Sequence, residues 1–152
     1  MMTEQIKSNL IFHAKQNYLQ IMIPADIQYL TILVKIIHRF LFLYNSDEQF
    51  LVRVKLAVDE IVTNIIEHGC QNSDDKQINI MCTVEGDTII IQIKDNTKFF
   101  NPLDQNLPSL EQLKKTRSKR GWGIYLTKMI ISEMEHSYNE GNILTMRIFK
   151  AP

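Results

Sequence analysis

The chain has 152 residues, 45% hydrophobic and 22% charged, which is enough for one domain (1–152) with a single sizeable core. Seventeen basic residues balance seventeen acidic ones, so no global field draws the chain to nucleic acid or an anionic membrane. Cys70 and Cys82 form neither a CxxC pair nor a disulfide framework and read as reduced thiols of a cytoplasmic protein, and the amino terminus lacks the uninterrupted apolar segment of a signal peptide.

Residues 18–23 (YLQIMI) are an apolar run with partial alternation and predict a strand; residues 9–13 are a further extended piece or a lead-in. Pro24 ends the run, and Asp26 is placed to cap a helix. Residues 27–44 have helical length and two apolar faces. One is Ile27, Leu30, Val34, Ile37 and Leu41; the other is Tyr29, Leu33, Ile36, Phe40 and Leu43. The helix is therefore either deeply buried or packs its second face on another subunit, which predicts a homodimer. It does not span a membrane, because Lys35, His38 and Arg39 sit in its middle.

Ser46 and Gln49 have capping-box spacing, and the next helix is expected from about 47 to 68, with Gly69 just past its end. Its apolar stripe is Val54, Ala57, Val58, Ile61 and Ile65. Beside that stripe Glu60, Asn64 and His68 recur every four residues, which stacks them along one helix edge. A carboxylate, an amide and an imidazole so aligned fit a site, and equally an ordinary polar edge.

Residues 77–84 and 88–95 alternate and form an antiparallel hairpin across Glu85-Gly86-Asp87. Asp95 ends the second strand. A mixed, mostly polar stretch from 99 to 120 follows, with a short helix at 109–115. It finishes on five basic residues, Lys114, Lys115, Arg117, Lys119 and Arg120, and has the length of a functional lid. Gly121-Trp122-Gly123 then opens an apolar helical run through Ile124, Leu126, Met129, Ile130, Ile131 and Met134. Free helix-start amides beside two glycines make a natural anion site. Two strands close the chain, at 136–139 and 143–150, around a turn in which Gly141 or Asn142 would take positive φ. The order strand, helix, helix, strand, strand, lid, helix, strand, strand predicts a two-layer α/β sandwich, with a mixed, mostly antiparallel sheet covered by helices on one face.

Separately, the helix edge, the strand-end aspartate and the glycine turn are weak signals; together they have a chemical logic. Phosphates want amides and cations, magnesium wants oxygen ligands, an adenine amino group wants a buried carboxylate, and a hydroxyl attacking phosphorus wants a base.

The ordered set resembles the GHKL ATPase superfamily with its Bergerat ATP-binding fold, and within it the anti-sigma-factor serine/threonine kinases. Asp59-Glu60-Ile61-Val62-Thr63-Asn64-Ile65-Ile66-Glu67-His68-Gly69 resembles the N box. Ile93 to Pro102, around Asp95-Asn96-Thr97, resembles the G1 box, and Arg120-Gly121-Trp122-Gly123-Ile124-Tyr125-Leu126 the G2 box. The resemblance implies ATP and Mg2+ as cofactors. Glu60 would be the catalytic base, Asn64 the magnesium ligand and Asp95 the adenine acceptor. Thr97, Arg120, Gly121, Trp122, Gly123 and Ile124 would line the nucleotide, and His68 would be a support residue. It further implies a STAS-domain anti-sigma-factor antagonist as substrate and a sigma factor, or another output protein, as partner. The alternatives are a non-catalytic, weakly nucleotide-binding module of the same fold and a switch kinase acting on a phosphatase. The chain departs from the family pattern at Thr97, where G1 commonly has glycine, and at Lys119 and Arg120, which precede the G2 glycines.

Overall fold

The structure, a computed structural model, describes residues 10–45, 47–69, 75–101, 104, 109–115 and 122–150; of 122–124 and 126 it describes the backbone alone. Six strands form one sheet: β1 (Ile11–Lys15), β2 (Tyr18–Pro24), β3 (Gln77–Glu85), β4 (Thr88–Asp95), β5 (Glu133–Tyr138) and β6 (Asn142–Phe149). Their spatial order is β1-β2-β3-β4-β6-β5, and every pairing is antiparallel. The expected mixed sheet is thus fully antiparallel, because each neighbouring pair is joined by a tight turn or returns along its partner.

Strand alternation puts Leu19, Ile21, Ile23, Ile78, Ile80, Cys82, Ile89, Ile91, Ile93, Leu144, Met146 and Ile148 on one buried face. Each fully buried Ile or Leu contributes about 1.5–3 kcal/mol. The reverse face is mixed, with Met22, Met81, Ile90 and Ile143 among polar side chains. Gln20 Nε2 donates to Asn79 Oδ1 at 3.0 Å, Gln92 Nε2 to Thr145 Oγ1 at 3.1 Å, and Arg147 lies 3.4 Å from Glu135.

The buried face is covered by α1 (Leu30–Phe42) and α2 (Glu48–Asn64), which pack on each other, and by α4 (Trp122–Ile130), which packs on α2. Asp26 caps the 3-10 turn Ile27–Tyr29 that leads into α1, accepting from Gln28 N at 2.9 Å. The two apolar faces expected of this segment merge into one broad stripe, because Leu30, Leu33, Val34, Ile37, Phe40 and Leu41 all reach the core. Ile27 and Leu43 remain exposed. The cap of α2 is Asp47, not Ser46: its carboxylate accepts from Gln49 N and Phe50 N. Ser46 lies outside the described residues. A reciprocal capping box does occur at α3 (Leu110–Lys115), where Ser109 and Gln112 exchange bonds of 2.8 and 3.2 Å.

Three boundaries differ from expectation. β1 extends the lead-in to a full edge strand, turning at Asn17, whose side chain tolerates φ of 62° and whose N–H donates to Tyr44 Oη. α4 stops at Ile130, so Met134 belongs to β5. In the last turn Glu140 takes the positive φ, 56°, and not Gly141 or Asn142. Gly141 is needed for space instead, since a Cβ there would fall on the Asp95 carbonyl oxygen.

Candidate functional site

α2 does not run as an α-helix to His68. It changes at Ile65–Gly69 into a π turn, directly after Asn64. Such turns cluster at functional sites, because one wider turn re-aims the side chains around it. Glu60 and Asn64 stay one α-helical turn apart, both half-buried. His68 leaves their line: its ring is exposed and stacks on Phe100 at 5.5 Å.

Asp95 ends β4 with its side chain on the helix side of the sheet, only 6% exposed. Its Oδ1 accepts from Thr97 N at 3.0 Å, from Thr97 Oγ1, and from Asn142 Nδ2 at 3.0 Å. Its Oδ2 has no partner among the described residues. Thr97 is 3% exposed and sits over Gly69: a Cβ on that glycine would strike Thr97 Oγ1 and Cβ. The π turn, the loop after β4 and the start of β6 therefore meet at one point. Thr97 does not project into an open base pocket; it is turned inward and bonded.

Asn142 is the residue that sequence reasoning missed. It is buried at the start of β6, its Nδ2 donates also to Lys98 O at 2.8 Å, and its Oδ1 accepts from Phe100 N at 3.0 Å. His136 Nε2 lies 3.1 Å from the same Oδ1. The signal available in the sequence was an Asn beside a glycine in the last turn, and turn chemistry accounts for that pair without a site.

Arg120 and Gly121 lie outside the described residues. Trp122, Gly123 and Ile124 form the first turn of α4, which packs against α2. Asp59, next to Glu60, has its carboxyl pushed up by partial burial, with Lys55 pulling it back. Burial pushes the Cys82 thiol up to about 12, so it is inert at neutral pH. No group of three or more His, Cys, Asp or Glu side chains among the described residues converges on a metal position. A magnesium ion held mainly by phosphates needs only one or two protein oxygens, so this does not conflict with Asn64. A depression of about 270 Å³ opens at this end of the sheet, and Met22, Asn79, Lys94, Asp95, Asn142 and Ile143 are among its lining residues.

The family model of the histidine kinase-like ATPase domain matches residues 23–148. The chain belongs to that family. Among sequence relatives of this histidine kinase-like ATPase domain, an anti-sigma F factor from Clostridium kluyveri is 32% identical over 104 residues. That match covers 64% of this chain and 69% of the relative. The serine-protein kinase RsbW from Listeria monocytogenes serotype 4a is 25% identical over 132 residues, 82% of each chain. Among solved structures, the histidine kinase domain of a blue-light-activated histidine kinase from Erythrobacter litoralis superposes with a TM-score of 0.50 at 14% identity. The match covers 83% of this chain and 61% of that one; at that identity it shows the fold alone. No helix among the described residues is long and apolar enough to cross a membrane.

Proposed function

We propose that this histidine kinase-like ATPase domain is an ATP- and Mg2+-dependent serine/threonine protein kinase of the anti-sigma type. Its substrate would be a STAS-domain antagonist, and it would alternate between that substrate and a sigma factor. The observation that carries the reading is the buried Asp95 carboxylate, with Oδ1 tied down and Oδ2 without a donor among the described residues. A buried acceptor is rarely left unpaired, and an adenine amino group is the kind of donor that fits it. The relatives named anti-sigma F factor and serine-protein kinase support the direction of the reading.

In this reading bound Mg-ATP supplies the phosphoryl group and neutralises its charge. Glu60 accepts the proton of the target hydroxyl, and Asn64, one turn along, offers its carbonyl to the metal. Asp95 orients the base. Arg120 and Gly121 would offer charge and an amide to phosphate, and Gly123 an amide in the first turn of α4. Two partner copies would meet along the exposed edge of β1 and the groove it forms with α1. There Phe12, Ile36 and Leu43 line an apolar cavity of about 380 Å³ flanked by Lys35 and Arg39. A sedimentation profile of a monomer at micromolar concentration would remove the dimer from the reading.

The test is phosphate transfer from Mg-ATP to a cognate antagonist domain. Wild type transfers; Glu60→Ala, still binding nucleotide, loses about 10²–10⁴ in rate. No transfer by wild type, or unchanged transfer by Glu60→Ala, rejects the kinase. The rival reading, a non-catalytic binding module, drew its support from Thr97 in the G1 position. That support weakens once Thr97 is seen folded inward onto Gly69 and bonded to Asp95.

A further inference from the structure

We propose that Thr97 and Asn142 are specificity-determining residues that make Asp95 a one-oxygen acceptor. The site then takes a base edge with one donor beside an acceptor, as in 6-aminopurine, and rejects an edge with two adjacent donors, as in guanine. This rests on the reading of Asp95 as the base acceptor.

A carboxylate oxygen has two lone pairs. Asp95 Oδ1 receives three donors, the Thr97 N–H, the Thr97 hydroxyl and the Asn142 amide, so it has none left for a ligand. The orientation of the Asn142 amide is fixed by its other neighbours. Phe100 N–H can only donate, so it requires Oδ1; Lys98 C=O can only accept, so it requires Nδ2. With the amide locked, its Nδ2 has to face Asp95, and His136 has to meet Oδ1 with a protonated Nε2. The Thr97 hydroxyl is equally confined, because Oγ1 and Cβ lie where a side chain on Gly69 would be, and only glycine leaves them that space.

Oδ2 is what remains. It belongs to a residue only 6% exposed and accepts nothing from the described residues. A guanine edge binds a carboxylate through two parallel N–H bonds, one to each oxygen, and here one of those oxygens is saturated. An adenine edge needs a single oxygen for its amino group. The discrimination therefore resides in the two side chains that fill Oδ1, neither of which has to touch the base.

The experiment is competition of ADP, IDP and GDP against a fluorescent ADP analogue, on the full chain with Mg2+. Wild type is expected to prefer ADP to GDP by about 100-fold. Thr97→Val keeps the shape and removes the hydroxyl but leaves the Thr97 N–H and the Asn142 amide on Oδ1, two donors for two lone pairs, and should hold that ratio. Adding Asn142→Leu leaves one donor, frees a lone pair and should narrow the ratio about tenfold. If that double variant does not fold, Thr97→Val with Asn142→Ala is read in its place. An unchanged ratio in a folded double variant that still binds ADP overturns the proposal. So does loss of all nucleotide by a cooperatively melting Thr97→Val, since the hydroxyl would then serve binding and not choice. Wild type that binds ADP and GDP equally overturns this assignment alone. Wild type that binds neither overturns the nucleotide reading itself, and this assignment with it.

Discussion

At one end of the β3–β4 pair, Glu85 faces Thr88 across the two-residue turn Gly86-Asp87. Glu85, Gly86 and Asp87 are exposed, and a Cβ on Gly86 would meet nothing within 4 Å. At the other end Ile78 faces Asp95, and the chain leaves the sheet into Thr97, with Asn142 brought alongside by β6. Of the buried polar residues Asp95, Thr97, Thr127 and Asn142, three are at this end. The first end is held by backbone geometry and by Lys150, whose N–H and Nζ donate to Asp87 O and Gly86 O; the second is held by polar side chains that are costly to bury unless they serve something. Two ends of one hairpin thus separate what the fold requires from what a ligand would require.

The contrast can be broken first at Asp95. Asp95→Asn is nearly isosteric and leaves Oδ1 free to keep its three donors, but puts an N–H where Oδ2 was. Nucleotide affinity should fall about 100-fold, roughly 3 kcal/mol, with little change in thermal midpoint. Titration calorimetry beside thermal melting checks both halves. Gly69→Ala is the next largest effect. Its Cβ collides with Thr97, so stability should drop by about 1–3 kcal/mol, and pairing it with Thr97→Gly should recover most of the loss in a double-mutant cycle. Additive losses would mean that the π turn and the β4 exit are not coupled.

Gly86→Ala probes the plain end. Gly86 has φ of 56°, so the substitution should cost about 1 kcal/mol by urea denaturation and leave nucleotide affinity untouched. The smallest effect is expected at Asp59. Burial raises its carboxyl above the ordinary range, so the folded state holds that proton more tightly than the unfolded chain does. Ionising it costs stability as pH rises through that window. Asp59→Asn should therefore raise the melting temperature slightly at neutral pH, with the gain vanishing once pH falls below the ordinary carboxylate range.

The strands and the helix caps show how far local pattern carries. Alternation in 77–84 and 88–95 located β3 and β4 almost to the residue, because one face is mostly isoleucine and the other mostly polar. β1 was harder, since all five of its residues are exposed and no alternation marks it. The helix 27–44 offered two apolar faces, and only packing could show that members of both turn inward while Ile27 and Leu43 stay exposed. Glu60, Asn64 and Asp95 stand out in the sequence as chemistry at a spacing, and the roles that resemblance implies for them belong to the proposed function. Asn142 was not legible, because its importance comes from β6 returning beside β4, a contact 47 residues apart in the chain. The π turn was equally hidden, since the residues in it have ordinary helical propensities.

That π turn has a consequence for chain length. A π turn is an α-helix carrying one surplus residue, and here the surplus falls between Asn64 and Gly69. Removing one residue from 65–68 would let the helix relax to regular geometry and would draw Gly69 back out of contact with Thr97. The distance from Asn64 to the β4 exit is thus set by a residue count, and any relative that differs by one residue in this turn must close the same gap in another way.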